Sequence, residues 1–147
     1  MNRLAGFSNR SAFLATVTVV LVWILFTSPS SACKCKGLSA TDALQHSDGV
    51  FLGRVIETKL DVGQRDYSTK FEVLKSWKGV ASPRTQVSTA VAGEACGSEF
   101  LCGKTYLVYV KAGRTNACLR TIEAGRAEND ISELGEPTYV NKDATVW

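Results

Sequence analysis

Cys33, Lys34 and Cys35 hold the chemistry this chain could perform with the fewest parts. The stretch before them, Thr27-Ser28-Pro29-Ser30-Ser31-Ala32, is small and mostly polar, and Ser30 and Ala32 stand where signal peptidase needs small side chains. Cleavage after Ala32 would make Cys33 the first residue of the mature chain. Its α-amine and its own carbonyl oxygen could then close a five-membered chelate ring on a metal ion, held rigid by a disulfide from the same residue. The working ligand in this reading is backbone, and the side chains of the tripeptide are its support. A metal with an open coordination position, as catalytic zinc has, is the kind such a chelate suits. The amine binds only when unprotonated. An unperturbed α-amine titrates near about 7.7–8.0, so binding should weaken as pH falls through that range.

The segment ahead of the tripeptide has the parts of a secretory signal. Arg3 and Arg10 are its positive region, residues 11–26 its apolar region, and the small residues to Ala32 its cleavage region. The uncharged run is shorter than the ~20 residues of a spanning helix. A cysteine after Ser-Ser-Ala also faintly resembles a lipoprotein processing site, which would consume both amine and thiol; Ser30 stands where that site usually carries an aliphatic residue. The expected product is secreted, extracellular or held at a cell envelope, with no membrane span in its mature form. Losing Arg3 and Arg10 takes the basic count from 17 to 15 against 14 acidic residues, a net charge near +1. That is no footprint for nucleic acid, which calls for clustered Lys and Arg.

All five cysteines, at 33, 35, 96, 102 and 118, follow Ala32. In an oxidising compartment they read as two disulfides and one thiol left over, with about 15 arrangements open on composition alone. One histidine, His46, and no C-x-x-C spacing argue against a metal site of the chain's own, and no cofactor is expected. No nucleophile and base can be paired, so an enzyme is not expected.

The elements that must carry the tripeptide follow from local pattern. Ser39-Ala40-Thr41-Asp42 predicts a short helix over about 40–46, broken by Ser47-Asp48-Gly49. Val50 to Glu57 predicts a strand buried on both faces for part of its length, and Tyr67 to Trp77 a long half-buried one. Thr85–Val91 and Thr105–Val110 predict two more, and 116–123 a fifth, with a loop over 92–104. Residues 127–134 predict a helix, acidic early and capped by Gly135, with a loose tail beyond Pro137. Five short-linked strands and flanking helices predict a small, mainly β, closed barrel. Its aromatic residues, Phe71, Trp77, Tyr106 and Tyr109 among them, are expected in the core.

Taken in order, these features resemble a family. The run is Cys33-Lys34-Cys35, a short helix, then Ser47-Asp48-Gly49-Val50-Phe51-Leu52-Gly53-Arg54-Val55. Next come Phe71-Glu72-Val73-Leu74-Lys75-Ser76-Trp77-Lys78-Gly79, Ala95-Cys96-Gly97, Gly103-Lys104-Thr105-Tyr106-Leu107-Val108-Tyr109 and Cys118. It is similar to the N-terminal netrin-like domain of the tissue inhibitors of metalloproteinases, in the short single-domain form of bacterial type. The likeness spans residues 33–134, between the signal at 1–32 and a tail at 135–147. It implies a five-stranded OB-fold barrel stapled by Cys33–Cys96 and Cys35–Cys118, with Cys102 unpaired. It also implies a monomeric inhibitor whose Cys33 amine and carbonyl chelate the catalytic zinc of a target protease. Lys34 would enter the primed-side pocket, and Cys35, Glu94 and Ala95 would complete the reactive ridge. The alternative is a netrin-like binding or surface-structural module without inhibitory action. Lys34 stands where animal inhibitors carry a small Ser or Thr, Gly37 where a proline is typical, and Gln45 where they carry a further paired cysteine.

Overall fold

A computed structural model describes residues 33–91 and 96–144, within one compact unit that begins at Cys33. The expectations for the signal at 1–32, and for Glu94 and Ala95, fall outside the described residues.

Helix α1 (Ala40–His46) starts where Ser39 Oγ accepts a hydrogen bond from the Asp42 amide at 3.0 Å. It ends at Ser47, and the Lys78 ammonium closes its C-terminus by donating to the carbonyls of Leu44 (3.0 Å) and Gln45 (3.3 Å). Ala40 and Ala43 form its buried side. The strands are β1 (Gly49–Asp61), β2 (Asp66–Lys78), β3 (Arg84–Ala90), β4 (Thr105–Val110), β5 (Ile122–Glu123) and β6 (Tyr139–Val140). Helix α2 (Glu128–Leu134) lies between the last two. All the ladders are antiparallel, in the order β3-β2-β1-β4-β5, with β6 added to β2.

Both faces of the central strands are covered, which is why β1 and β4 read as near-continuous apolar runs. Phe51, Phe71, Val73, Val87, Phe100, Tyr106 and Val108 form one buried cluster. Val50, Leu107, Tyr109 and Trp77 turn to the other face and meet Ala43 of α1 and Ala127 at the start of α2. The side-chain period of two makes this division, placing Val50 and Phe51 on opposite faces. Gly53 is needed for the first cluster. A Cβ there would sit 2.7 Å from the Phe51 ring, which meets Phe71 edge to face at 5.4 Å.

The mainly β class is as expected, and so are the short helices at both ends. Three details differ. The expected strand over 116–123 is a 3-10 turn, Ala117–Leu119, followed by Arg120 in a left-handed conformation (φ 71°), and pairing starts only at Ile122. Asn116 is the cause: its side-chain oxygen accepts from the amides of Cys118 (2.9 Å) and Leu119 (3.1 Å), winding the backbone away from a strand. The segment beyond Pro137 is not loose at its start. Tyr139–Val140 pairs with β2, and Asn141 bonds back to Leu74 and Val73 at 2.9 Å each. Strict alternation also fails in β2. The register against β1 shifts twice between Val73 and Lys78, so Lys75 is exposed while Ser76 and Trp77 are buried side by side.

Where β3 reaches the segment after β4, Ser88 donates to the Gly113 carbonyl at 3.1 Å and accepts from the Thr115 amide at 2.9 Å. Arg114, between those two, binds both carboxylate oxygens of Asp66. Among the described residues the strands otherwise form an open path.

Candidate functional site

The N-terminal arm, residues 33–39, has no regular structure and is exposed except at Leu38, which is half-buried against the α1–α2 side of the sheet. Cys33 is bonded to Cys96 and Cys35 to Cys118, with Cα separations of 5.6 and 4.9 Å. This is the pairing the family resemblance implies. Cys102 is the free cysteine among the described residues and is exposed, on the turn whose Gly103 amide donates to Val55. Lys34 is exposed between the two bridged cysteines. His46 is exposed too, its Nδ1 2.7 Å from the Asp42 carbonyl at the end of α1.

The far side of each bridge is held by local backbone. Cys96 has a left-handed conformation (φ 61°), uncommon for a residue with a side chain. Gly97 follows it so closely against β3 that an added Cβ would lie 1.9 Å from the Ala90 carbonyl oxygen. Ser98 then donates its amide to the buried Thr89 hydroxyl at 2.8 Å. The two bridges also touch through backbone, since the Ala117 amide donates to the Cys96 carbonyl at 2.8 Å. Cys118 sits inside the turn that Asn116 caps. The arm is therefore strapped to two loop segments that are themselves fixed to β3 and to each other.

One further group reaches the arm. Arg120, two residues past Cys118, donates to the Leu38 carbonyl through Nη1. Its Nε and Nη2 grip Asp130 of α2 at 2.6 and 2.7 Å. Asp130 is only 5% exposed, and its hydrogen bond holds the Arg120 guanidinium above its ordinary range of basicity. Nearby, the Tyr109 phenol is fully buried without a hydrogen-bond partner; burial, then the Asp130 charge, pushes its pKa up.

Chemically, the arm's candidate metal ligands are backbone groups, since both its thiols are bridged and its exposed charged side chains, Lys34 and Lys36, are cations. In the 1–147 chain the Cys33 nitrogen is an amide, whose delocalised lone pair makes it a poor ligand for zinc. Hydrolysis at Ala32 would convert it to an amine next to the Cys33 carbonyl. The bridged sulfurs are not available as ligands. Among the described residues no group of three or more His, Cys, Asp or Glu is placed to hold a metal ion. Among the same residues no helix is long and apolar enough to cross a membrane.

Sequence reasoning missed Gly97, Asn116, Arg120 and Asp130 as supports of the arm. The Asn-x-Cys spacing at Asn116 carried a capping signal that the strand pattern over 116–123 concealed. Arg120 meets Leu38 across a separation of 82 residues, which no local pattern reports. No known protein family matches this chain, and no curated protein matches it either.

Proposed function

We propose that the chain, once cleaved after Ala32, is a secreted inhibitor of zinc metalloproteinases built on an OB-type barrel. The Cys33 amine and carbonyl chelate the target's catalytic zinc and take the position of its attacking water. Lys34 enters the adjacent primed-side pocket, and Cys35 with the segment before Cys96, including Glu94 and Ala95, packs beside it. The observation that carries this reading is the exposed Cys33-Lys34-Cys35 arm, strapped at both cysteines to fixed loop segments. A chelating residue that is already ordered loses little freedom on binding, so more of its contact energy appears as affinity. The zinc belongs to the protease; the inhibitor supplies two ligands and a shape. Because the bridges tie up both thiols, the arm cannot act as a redox or thiolate site while they remain intact.

The test adds one alanine ahead of Cys33. The processed chain is expected to inhibit at least one of a panel of zinc proteases, and the extended chain to lose that inhibition because its Cys33 nitrogen is again an amide. Mass and N-terminal sequencing of the secreted product should give a free Cys33. Equal inhibition by both forms, or a mature N-terminus elsewhere, would sink the chelate mechanism. Lys34→Thr should change which protease is preferred while leaving the unfolding midpoint in place, since the side chain is exposed.

A further inference from the structure

We infer that Arg120, held by Asp130, is a positioning residue that sets the rotation of the N-terminal arm and so the direction in which the Cys33 carbonyl points. The geometry is one of anchors. Cys33 and Cys35 are each fixed by a bridge, but two attachment points only define an axis. A short segment without regular structure can still roll about that axis through the side-chain torsions of its cystines. A third attachment off the axis removes the roll. Leu38, three residues beyond Cys35, supplies it twice: its side chain packs against the α1–α2 side of the sheet, and its carbonyl accepts from Arg120 Nη1.

The same small turn, Asn116 to Arg120, thus holds the arm at two places, at Cys35 through Cys118 and at Leu38 through Arg120. Helix α2 braces that turn. Asp130 takes Nε and Nη2 of the guanidinium, which leaves Nη1 aimed at Leu38. One turn further along α2, Glu133 accepts from the Thr41 amide (3.1 Å) and hydroxyl (3.0 Å) at the start of α1, where the arm ends. Two carboxylates of one helix therefore set both the last part of the arm and the helix it runs into. Guanidinium is the group this needs, because a planar fork can serve a carboxylate and a carbonyl together, whereas an ammonium is a single point of charge.

This inference rests on the inhibitory reading for its consequence, but not for its test. The processed chain would be compared with Arg120→Lys and Arg120→Met by backbone ¹⁵N relaxation, both bridges being verified by mass. Arg120→Lys keeps a cation facing Asp130 and so keeps the fold, but cannot also hold Leu38. The expected result is a fall in the order parameters of Lys34 to Gly37 from about 0.85 to below about 0.6, with β1 and β2 unchanged. Arg120→Met should do the same or more; if it fails to fold, the lysine variant decides. Unchanged arm values in Arg120→Lys would overturn the inference. A fall spread equally over the arm and the strands would overturn it too, since that is what a residue needed only for stability would give. Where the parent inhibits a protease, Arg120→Lys should dissociate about tenfold faster with an unaltered association rate. A parent that inhibits nothing defeats the inhibitory reading, while the relaxation data still judge the anchor.

Discussion

Replacing the cysteines of either bridge by serine should cost the same stability, although the two bridges close loops of different length. Cys33–Cys96 spans 63 residues and Cys35–Cys118 spans 83. Taken singly, the chain-entropy relation gives about 4.3 and about 4.5 kcal/mol for loops of these sizes. The loops overlap, however. With one bridge in place, the other closes only the short circuit from Cys33 to Cys35 and from Cys96 to Cys118. That circuit holds about 24 residues whichever bridge is considered, and the same relation then gives about 3.4 kcal/mol. Each single removal should therefore cost about 3.4 kcal/mol, and removal of both about 8 kcal/mol, more than twice either alone. The assay is urea unfolding of the processed chain and of the Cys33→Ser/Cys96→Ser, Cys35→Ser/Cys118→Ser and fourfold variants. At a slope of about 1.5 kcal/mol/M, each single-bridge variant should shift its midpoint by about 2 M. Losses differing by more than about 1 kcal/mol between the two would refute the shared-circuit argument. So would a fourfold loss equal to one single loss. A stabilising osmolyte, added equally to every variant, keeps a folded baseline for the fourfold one.

Three other outcomes are expected. Gly97→Ala should lose about 1–3 kcal/mol in the same unfolding assay, because its Cβ would stand 1.9 Å from the Ala90 carbonyl oxygen and Cys96 must move to admit it; a variant as stable as the parent would show the approach to be unimportant. Arg114 holds the Asp66 carboxyl below its ordinary 3.8 chiefly by hydrogen bonding. The unfolded chain then binds the proton more readily, so this contribution is whole above about pH 4 and is lost as pH falls through the lowered value; Asp66→Asn should flatten the acid limb of a melting temperature against pH profile, and an unaltered limb would assign the acid loss elsewhere. A chain ending at Glu136 forfeits the Thr138 bond to Ser76 (3.1 Å), both Asn141 bonds and the Tyr139 contact with the core. It should lose about 2–3 kcal/mol and associate with rising concentration through the bared edge of β2, as sedimentation would record.

The parts of this molecule that could be read from sequence are those whose cause is local. Ser39 and its helix, the Gly135 end of α2, and the apolar runs of β1 and β4 each carry their signal within a few residues. What escaped depends on groups distant in the chain or on one residue overruling a pattern. Residues 116–123 follow the turn at Ala112-Gly113-Arg114 and so read as a strand, yet Asn116 claims the Cys118 and Leu119 amides that a strand would have used. Tyr139–Val140 is too short to show any period, and it is a strand only because β2 has an edge left open beyond β3. The two register shifts in β2 follow from Trp77 crossing to the helical side of the sheet, where its indole donates to the Gly135 carbonyl at 2.8 Å. For the site, Cys33-Lys34-Cys35 was visible because the small residues Ser30 and Ala32 stand directly before it in the pattern expected of a cleavage signal. Its supports were not, because Gly97 acts through Ala90 and Arg120 through Leu38 and Asp130.

The grip of Arg120 on Leu38 and Asp130 also bears on how the cysteines find their partners. Thiol–disulfide exchange lets a chain with one thiol to spare sample alternative pairings. Among the about 15 arrangements open to five cysteines, those that do not join Cys35 to Cys118 leave the turn that carries Arg120 without a covalent tie to the arm. The Arg120 bond to the Leu38 carbonyl and the packing of Leu38 on the sheet favour the arrangement that has that tie. The native isomer is the one in which covalent and noncovalent attachments agree on where the arm lies. The noncovalent grip on the arm thus selects the native pairing from among the isomers that exchange makes available.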